Sequence, residues 1–494
     1  MLRNLLRGAF RRREPGAQER YDRAVRLEQQ KRLTEAVRQY TAVLALGAES
    51  AAVHAQLANC YARLGRGAEA VPHYRRAAEL DPRAGYVEHS VLGALNFVPD
   101  ITPEAVFEAH RAWGERLMAS VRPVLQHSRS NERIRVGYVS PDLRRHPVTY
   151  LFAPVLEHHD RARFEIYCYD PVGDGDAVTV RLKRASEHWR EVAGRSDEAI
   201  AETVNDDRID ILVDLAGHTT HSRLRAFAMK PAPVQVSWLG YFNTTGLPTM
   251  DYFISDPHSS PEGQQRWFSE SLWRLPHTRF PYEPPAFAPE VGRLPARARG
   301  GVTFGCFNNL SKVNDRVIAL WARVLDAVPG SRVKIVAIGL HDEGNREYWR
   351  ERFASRGIAP DRVELSPFLP HEALLAAYGE VDIALDPFPF AGGLTSLEAL
   401  YMGVPVVTLE APMLPGRQTI SFLRNVGLET LVAADEEAYV AAAVQLADDL
   451  DALAALRASL RERMRASPLM DYAAFTRDLE KAYEQMLDVV PDPR

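Results

Sequence analysis

The sequence predicts an α/β protein with two open parallel sheets, preceded by an all-α domain of helical repeats. Three observations support this prediction: a repeated pattern of small and aromatic residues before residue 84, a series of β-rich runs from Arg133, and a second such series from Val302. Because helical stretches separate the β-rich runs, both series are typical of parallel sheets with helices on both faces. Two such sheets that face each other form a cleft at the carboxyl ends of their strands.

The first region carries a helix-turn-helix repeat. In residues 51–84 the small and aromatic residues fall on the tetratricopeptide pattern, at Leu57, Ala58, Tyr61, Gly65, Ala70, Tyr74, Ala77 and Pro82. Ala24, Ala36 and Tyr40 stand 34 positions before three of them, and this spacing equals the length of the repeat. The sequence therefore predicts two repeats, of which the second is closer to the pattern.

A third helical layer follows the repeats. In "DITPEAVF", Thr102 is a helix N-cap and Pro103 suits the first helical position. We expect residues 17–130 to form one helical domain that docks against the lobes, behind a basic tail at residues 1–16. Because each repeat adds only one helix pair, two repeats offer little groove for a long extended substrate.

The β-rich runs predict two lobes. The first lobe is expected at residues 131–285, with strands in "RIRVGYVS", "FEIYCYD" and "IDILVDLAG". The second is expected at residues 301–494, with terminal helices and with strands in "VTFGCFNN", "SRVKIVAIG", "RVELSPF", "VDIALDPF" and "VPVVTL". The segment between them, residues 286–300, is rich in Pro and Arg and is typical of a linker.

Composition excludes several classes of protein. The 494 residues are 46% apolar and 25% charged, with a net charge of −5 and basic residues spread along the chain, which does not indicate a nucleic-acid partner. The three cysteines are far apart, so the sequence predicts neither a disulfide framework nor a zinc site, and a reducing cytoplasm is expected. No apolar run reaches the roughly 18 residues that span a bilayer. The basic N-terminus is interpreted as a solvated tail, with a surface-lying membrane anchor as the alternative.

One turn suggests a ligand. The stretch "DPFPFAGGLTSLEALYMGVP", residues 386–405, follows a strand-like run and leads through Gly392 and Gly393 into a helix-like run. This is an ordinary strand-to-helix connection in an α/β domain, or it is an anion site, because a helix N-terminus presents free N–H groups and the positive end of the helix dipole.

Four further segments place polar side chains where strands end. These segments contain Asp142 and His146; His218 and Arg223; Gly240, Asn243, Thr244, Thr245 and Gly246; and Asn308, Asn309 and Lys312. Each also has a structural explanation, since a lone histidine is often part of the core and Asn-Thr-Thr-Gly is a good turn. The "DGD" at Asp174–Asp176 resembles a metal-binding DxD, but we interpret it as a plain turn.

Five motifs of the sequence, taken in order, resemble those of a known family. "GYVSPDLRRHPV", "DLAGHT", "APVQVSWLGYFNTTGLPTMDY", "FNNLSKV" and "LDPFPFAGGLTSLEALYMGVPVVTL", in this order behind tetratricopeptide repeats, resemble the protein O-GlcNAc transferases and the related protein O-fucosyltransferases, glycosyltransferase family 41. The resemblance implies two Rossmann-like lobes in a GT-B arrangement. It also implies inverting, metal-independent transfer of a sugar from a nucleotide-sugar donor to Ser or Thr of a protein, with no cofactor.

The resemblance also implies roles for particular residues. It assigns catalytic roles to His146 and Lys312, with His146 as the base or as the group that orients the acceptor. It implies that the donor phosphates bind at Gly392, Gly393, Thr395 and Ser396. Ribose and nucleobase contacts are expected from Asn309, Leu369, His371 and Glu398, and a sugar and acceptor pocket from His218, Leu239, Gly240, Thr244 and Thr245.

Departures from the family pattern leave the donor open. Gly393, Leu394 and Thr395 stand where animal O-GlcNAc transferases have His-Thr-Thr, and Leu374 and Ala377 stand where the family has His and Arg near the base. UDP-GlcNAc is the expected donor, with GDP-fucose as the alternative. A further alternative is a non-catalytic repeat adaptor with a decayed transferase module, and self-association through the helical domain is also left open.

Overall fold

The structure, a computed structural model, describes residues 15–81, 85–124 and 132–489. Of the expected N-terminal tail, only Pro15 and Gly16 are among them, and Pro82 of the repeat pattern lies outside them. The helical domain contains α1 (Ala17–Gln29), α2 (Leu33–Ala45), α3 (Ala51–Arg63), α4 (Gly67–Leu80), α5 (Gly85–Leu95) and α6 (Pro103–Met118).

The repeats pack as their pattern predicts. Ala24 and Ala36 are fully buried between α1 and α2, as Ala58 is between α3 and α4. Small side chains at these positions let the paired helices approach closely. The side chain of Thr102 caps α6 by accepting a hydrogen bond from the Ala105 N–H at 3.1 Å. Helix α6 therefore begins where the sequence predicts, with Thr102 as its N-cap.

The first lobe is a doubly wound parallel sheet. Its strands are β1 (Ile134–Val139), β2 (Phe164–Asp170), β3 (His188–Glu191), β4 (Ile211–Asp214), β5 (Val234–Ser237), β6 (Tyr252–Ser255) and β7 (Ser271–Arg274). Its helices are α7 (Thr149–His158), α8 (Ala177–Ala185), α9 (Asp197–Asp206) and α10 (Leu224–Ala228). The strand order β3-β2-β1-β4-β5-β6-β7 reverses direction between β1 and β4.

The second lobe repeats this plan. Its strands are β8 (Thr303–Cys306), β9 (Arg332–Ala337), β10 (Val363–Pro367), β11 (Ile383–Leu385), β12 (Val406–Leu409) and β13 (Val432–Ala433), in the order β10-β9-β8-β11-β12-β13. Its helices are α11 (Ala296–Arg299), α12 (Asp315–Ala327), α13 (Glu343–Ala354), α14 (His371–Ala377), α15 (Leu394–Tyr401), α16 (Gln418–Asn425), α17 (Glu436–Asp448) and α18 (Leu450–Arg465). The order reverses between β8 and β11.

The last helix returns to the first lobe. Helix α19 (Tyr472–Val489) packs against α7, and the buried Glu480 accepts hydrogen bonds from the Asp160 N–H at 2.8 Å and from His159 at 2.9 Å. The final helix, which the sequence grouped with the second lobe, therefore joins the two lobes.

Among the described helices, none combines the length and the apolar character that crossing a bilayer requires.

The helical domain docks directly against the second lobe. The Thr34 hydroxyl donates to Asp342 at 2.7 Å, and the Asn345 amide donates to the Leu64 carbonyl at 2.9 Å. The two parts also pack closely at Gly65, whose φ is +73°: a Cβ built there would lie 2.0 Å from the Cβ of Leu310. Since Leu310 is two residues before Lys312, this turn of the repeat supports the loop that carries the lysine.

Replacing Gly65 with alanine should therefore impair turnover as well as stability. Gly47→Ala is the matched control, because Gly47 has a φ of +77° and a Cβ built there would have no atom of the described residues within 4 Å. Both variants strain the backbone, but only Gly65→Ala overpacks Leu310, which should cost about 1–3 kcal/mol more. Melting temperature and transfer to a short Ser/Thr peptide measure the two effects. Equal behaviour of the two variants would contradict the supporting role of Gly65.

Candidate active site

The two topological reversals bring the expected site residues to the strand ends. Open parallel sheets bind ligands beyond the carboxyl ends of the strands where the order reverses. In the first lobe, His146 follows β1 and His218 follows β4. In the second lobe, Lys312 follows β8 and Gly392 follows β11. Four of the segments singled out in the sequence, those of His146, His218, Lys312 and Gly392, thus follow the strands that flank the two reversal points.

The glycine turn between β11 and α15 has the form of an anion cradle. The Gly392 N–H donates to the buried Asp386 carboxylate at 2.7 Å, which fixes the turn. A Cβ at Gly392 would lie 1.9 Å from the Ser396 hydroxyl, so a larger residue there would displace the Ser396 side chain. Gly393 is the N-cap of α15, and the N–H groups of Gly393, Leu394 and Thr395 donate to no described residue. These N–H groups are available to a bound anion.

Lys312 supplies a fixed cation beside this turn. Its Nζ donates to the Ala391 carbonyl at 2.7 Å and to Asn308 Oδ1 at 3.1 Å, and lies 4.1 Å from the ring centre of Phe390. An ammonium has three N–H donors, and no third acceptor is found among the described residues, so one donor is available. Burial lowers the pKa of Lys312 to about 8, and the nearby Asp386 carboxylate opposes this shift.

Asn308 joins the lysine to the helix. Its Oδ1 accepts from Lys312 and also from the Thr395 hydroxyl at 3.0 Å. Ser396 is buried, and its hydroxyl accepts from Thr419 at 3.0 Å, so it supports the turn from below. Thr395 is half-buried at the mouth of the turn. Direct phosphate contacts by Thr395 and Ser396 stay predictions.

Glu398 and His371 form a polar pair behind the turn. Glu398 is buried on α15, and its Oε1 lies 2.7 Å from Nε2 of His371, the first residue of α14. Burial raises the pKa of the Glu398 carboxyl, and His371 opposes this shift. The expected ribose contacts therefore lie together, on two helices of the second lobe.

His146 and Asp142 form a second pair, on the loop after β1. The His146 Nδ1 lies 3.5 Å from Asp142 Oδ2, and the imidazole is about one-third exposed. The Thr149 hydroxyl fixes this loop by donating to the carbonyls of Asp142 and Arg144. Burial lowers the pKa of His146, and the Asp142 carboxylate opposes this shift. The imidazole is therefore mostly neutral at physiological pH and has one nitrogen available to a ligand.

The loop after β5 is held by tight backbone packing. Leu239 has a φ of +62°, which is costly for a residue with a side chain, and its side chain is buried in the core of the first lobe. Gly240 lies directly against the Leu215 carbonyl, and a Cβ there would come within 1.8 Å of that oxygen. These two residues shape the loop, and their expected contact with a sugar stays a prediction.

Thr244 and Thr245 bind a buried carboxylate. Glu270 is fully buried and accepts from the Thr244 hydroxyl at 2.6 Å, from the Thr245 N–H at 2.7 Å, and from the Thr245 hydroxyl. Burial raises the pKa of Glu270, and the two hydroxyls oppose this shift. Both threonine hydroxyls point into the first lobe, so this geometry gives no support to their expected place in a sugar pocket.

His218 belongs to a buried aromatic cluster shared with the helical domain. Its Nε2 lies 2.8 Å from the Thr245 carbonyl and its Nδ1 lies 2.8 Å from Nδ1 of His89. Trp113 meets the ring edge-on at 4.5 Å between ring centres. Burial lowers the pKa of His218 well below its usual value. The neutral imidazole therefore joins two domains, and a direct contact with an acceptor stays a prediction.

A groove of about 1100 Å³ separates the helical domain from the lobes near His218. Residues from all three parts of the chain line it, including Asn59, Tyr74, Trp113, Arg225, Phe242 and Asn309. Two of its lining residues contact Phe390, whose ring stacks on Phe97 at 5.1 Å and meets Phe242 at 4.2 Å. The groove therefore lies next to Phe390, and the Lys312 ammonium lies over the ring of that residue.

Two further nucleotide contacts are expected from Asn309 and Leu369. Asn309 is exposed in the groove, where its Oδ1 accepts from the Ser311 N–H at 3.0 Å, and Asn308 makes the contact to Lys312. Leu369 is half-buried against the core, two residues before His371. Base contacts by Asn309 and Leu369 stay predictions.

The acidic "DGD" turn has structural partners. The Asp176 carboxylate caps α8 by accepting from the N–H groups of Val178 and Thr179, and it also accepts from the Arg145 N–H. Asp174 is exposed and pairs with Arg144 at 3.1 Å. Within residues 15–81, 85–124 and 132–489, no three His, Cys, Asp or Glu side chains are grouped so that they could hold a metal ion.

Known proteins match this chain over most of its length. A "Glycosyl transferase family 41" model matches residues 119–283 and 291–479, and a "Tetratricopeptide repeat" model matches residues 51–84. The K-to-M point mutant of the Thermobaculum terrenum O-GlcNAc transferase has a similar structure, with a TM-score of 0.88 and 38% identity, over 95% of this chain and 90% of that one.

Two relatives show the range of sequence similarity. The "Probable UDP-N-acetylglucosamine--peptide N-acetylglucosaminyltransferase SPINDLY" of Solanum lycopersicum is 40% identical over 83% of this chain and 45% of its own length. The "UDP-N-acetylglucosamine--peptide N-acetylglucosaminyltransferase" of Caenorhabditis elegans is 26% identical, over 72% of this chain and 41% of its own length. The chain thus spans less than half the length of these relatives. The family match and the shared two-lobed fold together establish that this chain belongs to glycosyl transferase family 41.

Proposed function

We propose that this protein transfers N-acetylglucosamine from UDP-GlcNAc to Ser or Thr hydroxyls of a protein, with inversion at the anomeric carbon and without a metal ion. The observation that carries this proposal is the pairing of Lys312 with the open N-terminus of α15 at the reversal point of the second lobe. Together they offer positive charge and N–H donors to a diphosphate.

In the proposed reaction, one bond forms to the anomeric carbon, one bond to it breaks, and the acceptor loses a proton. The acceptor hydroxyl oxygen forms a bond to the anomeric carbon while the bond from that carbon to the diphosphate oxygen breaks. The electron pair leaves with UDP, whose added negative charge is stabilised by Lys312 and by the N–H groups of α15. The acceptor proton passes to His146, or to solvent while His146 orients the hydroxyl.

The acceptor is proposed to enter through the groove beside the helical domain. The groove adjoins Phe390 and the Lys312 loop, and its walls include residues of the repeats and of both lobes. Because α1–α4 provide two repeats that dock on the second lobe, we propose that they frame this entrance and select a small set of protein acceptors.

The donor is tested by direct comparison. We expect transfer to a Ser/Thr peptide with UDP-GlcNAc and little with GDP-fucose, because each relative cited above is named for GlcNAc or UDP-GlcNAc. Mass spectrometry of the peptide identifies the sugar. Transfer with GDP-fucose alone would overturn the donor assignment. Failure of every nucleotide to stabilise the protein thermally would favour the adaptor alternative.

The metal-independent proposal is tested with a chelator. EDTA should leave the rate unchanged, because Asp176 is occupied as the cap of α8. Inhibition that added Mn²⁺ or Mg²⁺ reverses would contradict this proposal and would point to Asp174 and Asp176.

The affinity for UDP should depend on pH through Lys312. We expect it to fall as the pH rises through about 8, the pKa to which burial lowers the lysine, because deprotonation removes the cation that the diphosphate contacts. Well above the pKa the loss approaches about tenfold per pH unit, since one proton is linked to binding. Calorimetry over this range measures the effect. Lys312→Arg, which stays charged, should flatten the profile, and a wild-type profile in this variant would rule out Lys312 as the titrating group.

A further inference from the structure

A chain of hydrogen bonds crosses the cleft behind the phosphate turn. The Tyr150 hydroxyl lies 3.1 Å from Nδ1 of His371, and the His371 Nε2 lies 2.7 Å from Glu398 Oε1. Tyr150 is on α7 of the first lobe, four residues after His146, whereas His371 and Glu398 belong to the second lobe. The path from Tyr150 to Glu398 therefore connects the two lobes.

The chemistry of the groups fixes the direction of these bonds. The Glu398 carboxylate only accepts hydrogen bonds when it is ionised, so His371 Nε2 carries the proton and donates. The His371 Nδ1 then has a free lone pair and accepts from the Tyr150 hydroxyl. The second carboxylate oxygen of Glu398 has no partner among the described residues. One oxygen of the carboxylate is therefore held by His371, and the other is available.

Aromatic packing restricts the imidazole as well. The ring of Tyr150 meets His371 edge-on at 5.2 Å between centres, and Phe287 of the linker meets it at 5.3 Å. With a hydrogen bond at each nitrogen and a ring on two sides, the imidazole has little freedom to rotate. Removing the Tyr150 hydroxyl would remove the only described partner of Nδ1 while leaving the ring packing in place.

We infer that Tyr150 is a positioning residue for the donor: through His371 it orients the Glu398 carboxylate toward the ribose hydroxyls of the nucleotide. This inference rests on the proposed function, in which a ribonucleotide binds beside Glu398. Because Tyr150 lies on the first lobe, the orientation of the carboxylate depends on a contact between the two lobes.

Tyr150→Phe tests this inference with two nucleotides. The variant should bind UDP about three- to tenfold more weakly, the factor for loss of about one hydrogen bond. It should bind 2′,3′-dideoxy-UDP as the wild type does, because that nucleotide has no ribose hydroxyls for Glu398 to contact. Calorimetry measures both affinities. In steady-state assays the change should appear in the donor KM, with kcat nearly unchanged.

A double-mutant cycle tests the route through His371. In a His371→Ala background, Tyr150→Phe should have no further effect on UDP binding, since the intermediate ring is gone. Tyr348→Phe is the matched control: its hydroxyl also makes an interdomain bond, to Glu69 at 3.0 Å, and its loss should leave both affinities unchanged.

The outcomes separate the inference from the proposed function. Equal losses of UDP and 2′,3′-dideoxy-UDP affinity in Tyr150→Phe, or additive effects of the two substitutions, would overturn the inference alone. A wild-type protein that binds neither UDP nor GDP would overturn the proposed function and the inference with it. Since uridine and guanosine nucleotides share the ribose, a GDP-specific protein should show the same pattern with GDP and 2′,3′-dideoxy-GDP.

Discussion

Lys312→Ala should lower turnover by about 10²–10³ while the protein stays folded, which is the usual cost of losing one electrostatic contact to a developing charge. The lysine is held in place by the Ala391 carbonyl and by Asn308, so its ammonium is already oriented when the diphosphate leaves. Because the negative charge on the diphosphate grows as the bond to the sugar breaks, kcat should fall more than the affinity for the intact donor.

The matched control for this variant is another lysine of the same lobe. Lys334 is buried and pairs with Glu364 and Glu380, at 2.5 Å and 2.8 Å, away from the phosphate turn. Lys334→Ala should lower the melting temperature and leave kcat unchanged. Initial rates and thermal melts of both variants compare the two lysines. Wild-type turnover in a folded Lys312→Ala variant would exclude the leaving-group role.

The parts of the site that could be predicted from sequence are those that depend on local structure. The turn at Gly392 and Gly393 is marked by its glycines and by the strand and helix on either side, and the structure places it at the amino end of α15. The position of Lys312 just after β8 also follows from the strand pattern, whereas its role as a cation beside the phosphates is implied only by the family resemblance. Such features need only the order of the elements, which the periodicity of the sequence predicts well.

The neighbours of these residues could not be predicted in the same way. Asn308 and Asn309 are adjacent and chemically identical, yet only Asn308 turns inward to bind Lys312 and Thr395. The direction depends on the backbone of the turn after β8, for which the sequence contains no signal. Because of this backbone direction, Asn308 contacts Lys312, whereas Asn309 lies exposed in the groove.

Contacts between distant segments could not be predicted from the sequence either. Glu270 binds both Thr244 and Thr245 from 25 residues or more along the chain, and His89 meets His218 from another domain. A buried acid or histidine has no periodic signature, because its position depends on how the domains dock. These contacts occupy the hydroxyls of Thr244 and Thr245 and both ring nitrogens of His218, so the acceptor contacts expected of these residues stay predictions.

His146→Ala should lower kcat by about 10²–10⁴, the usual contribution of a positioned acid–base group, with little effect on UDP binding. Two neighbours of His146 allow its proton to lie on either ring nitrogen. Its Nδ1 lies 3.5 Å from the Asp142 carboxylate and 3.4 Å from the Val148 N–H. If Asp142 holds a proton on Nδ1, the Nε2 atom is free to take the acceptor proton. If Nδ1 instead accepts from Val148, Nε2 carries a proton and can only orient the acceptor.

His146→Asn and Asp142→Asn distinguish the two roles. An asparagine can orient a hydroxyl but cannot take its proton, so a base role predicts that His146→Asn is as slow as His146→Ala. Burial lowers the pKa of His146 and Asp142 opposes the shift, so the wild-type rate should persist below the ordinary histidine pKa of about 6.5. Asp142→Asn should move that acid limb to still lower pH, because the carboxylate no longer stabilises the protonated ring. The opposite outcome would be substantial activity in His146→Asn and no change of the pH profile in Asp142→Asn. That result would show that His146 orients the acceptor and that the proton goes to solvent.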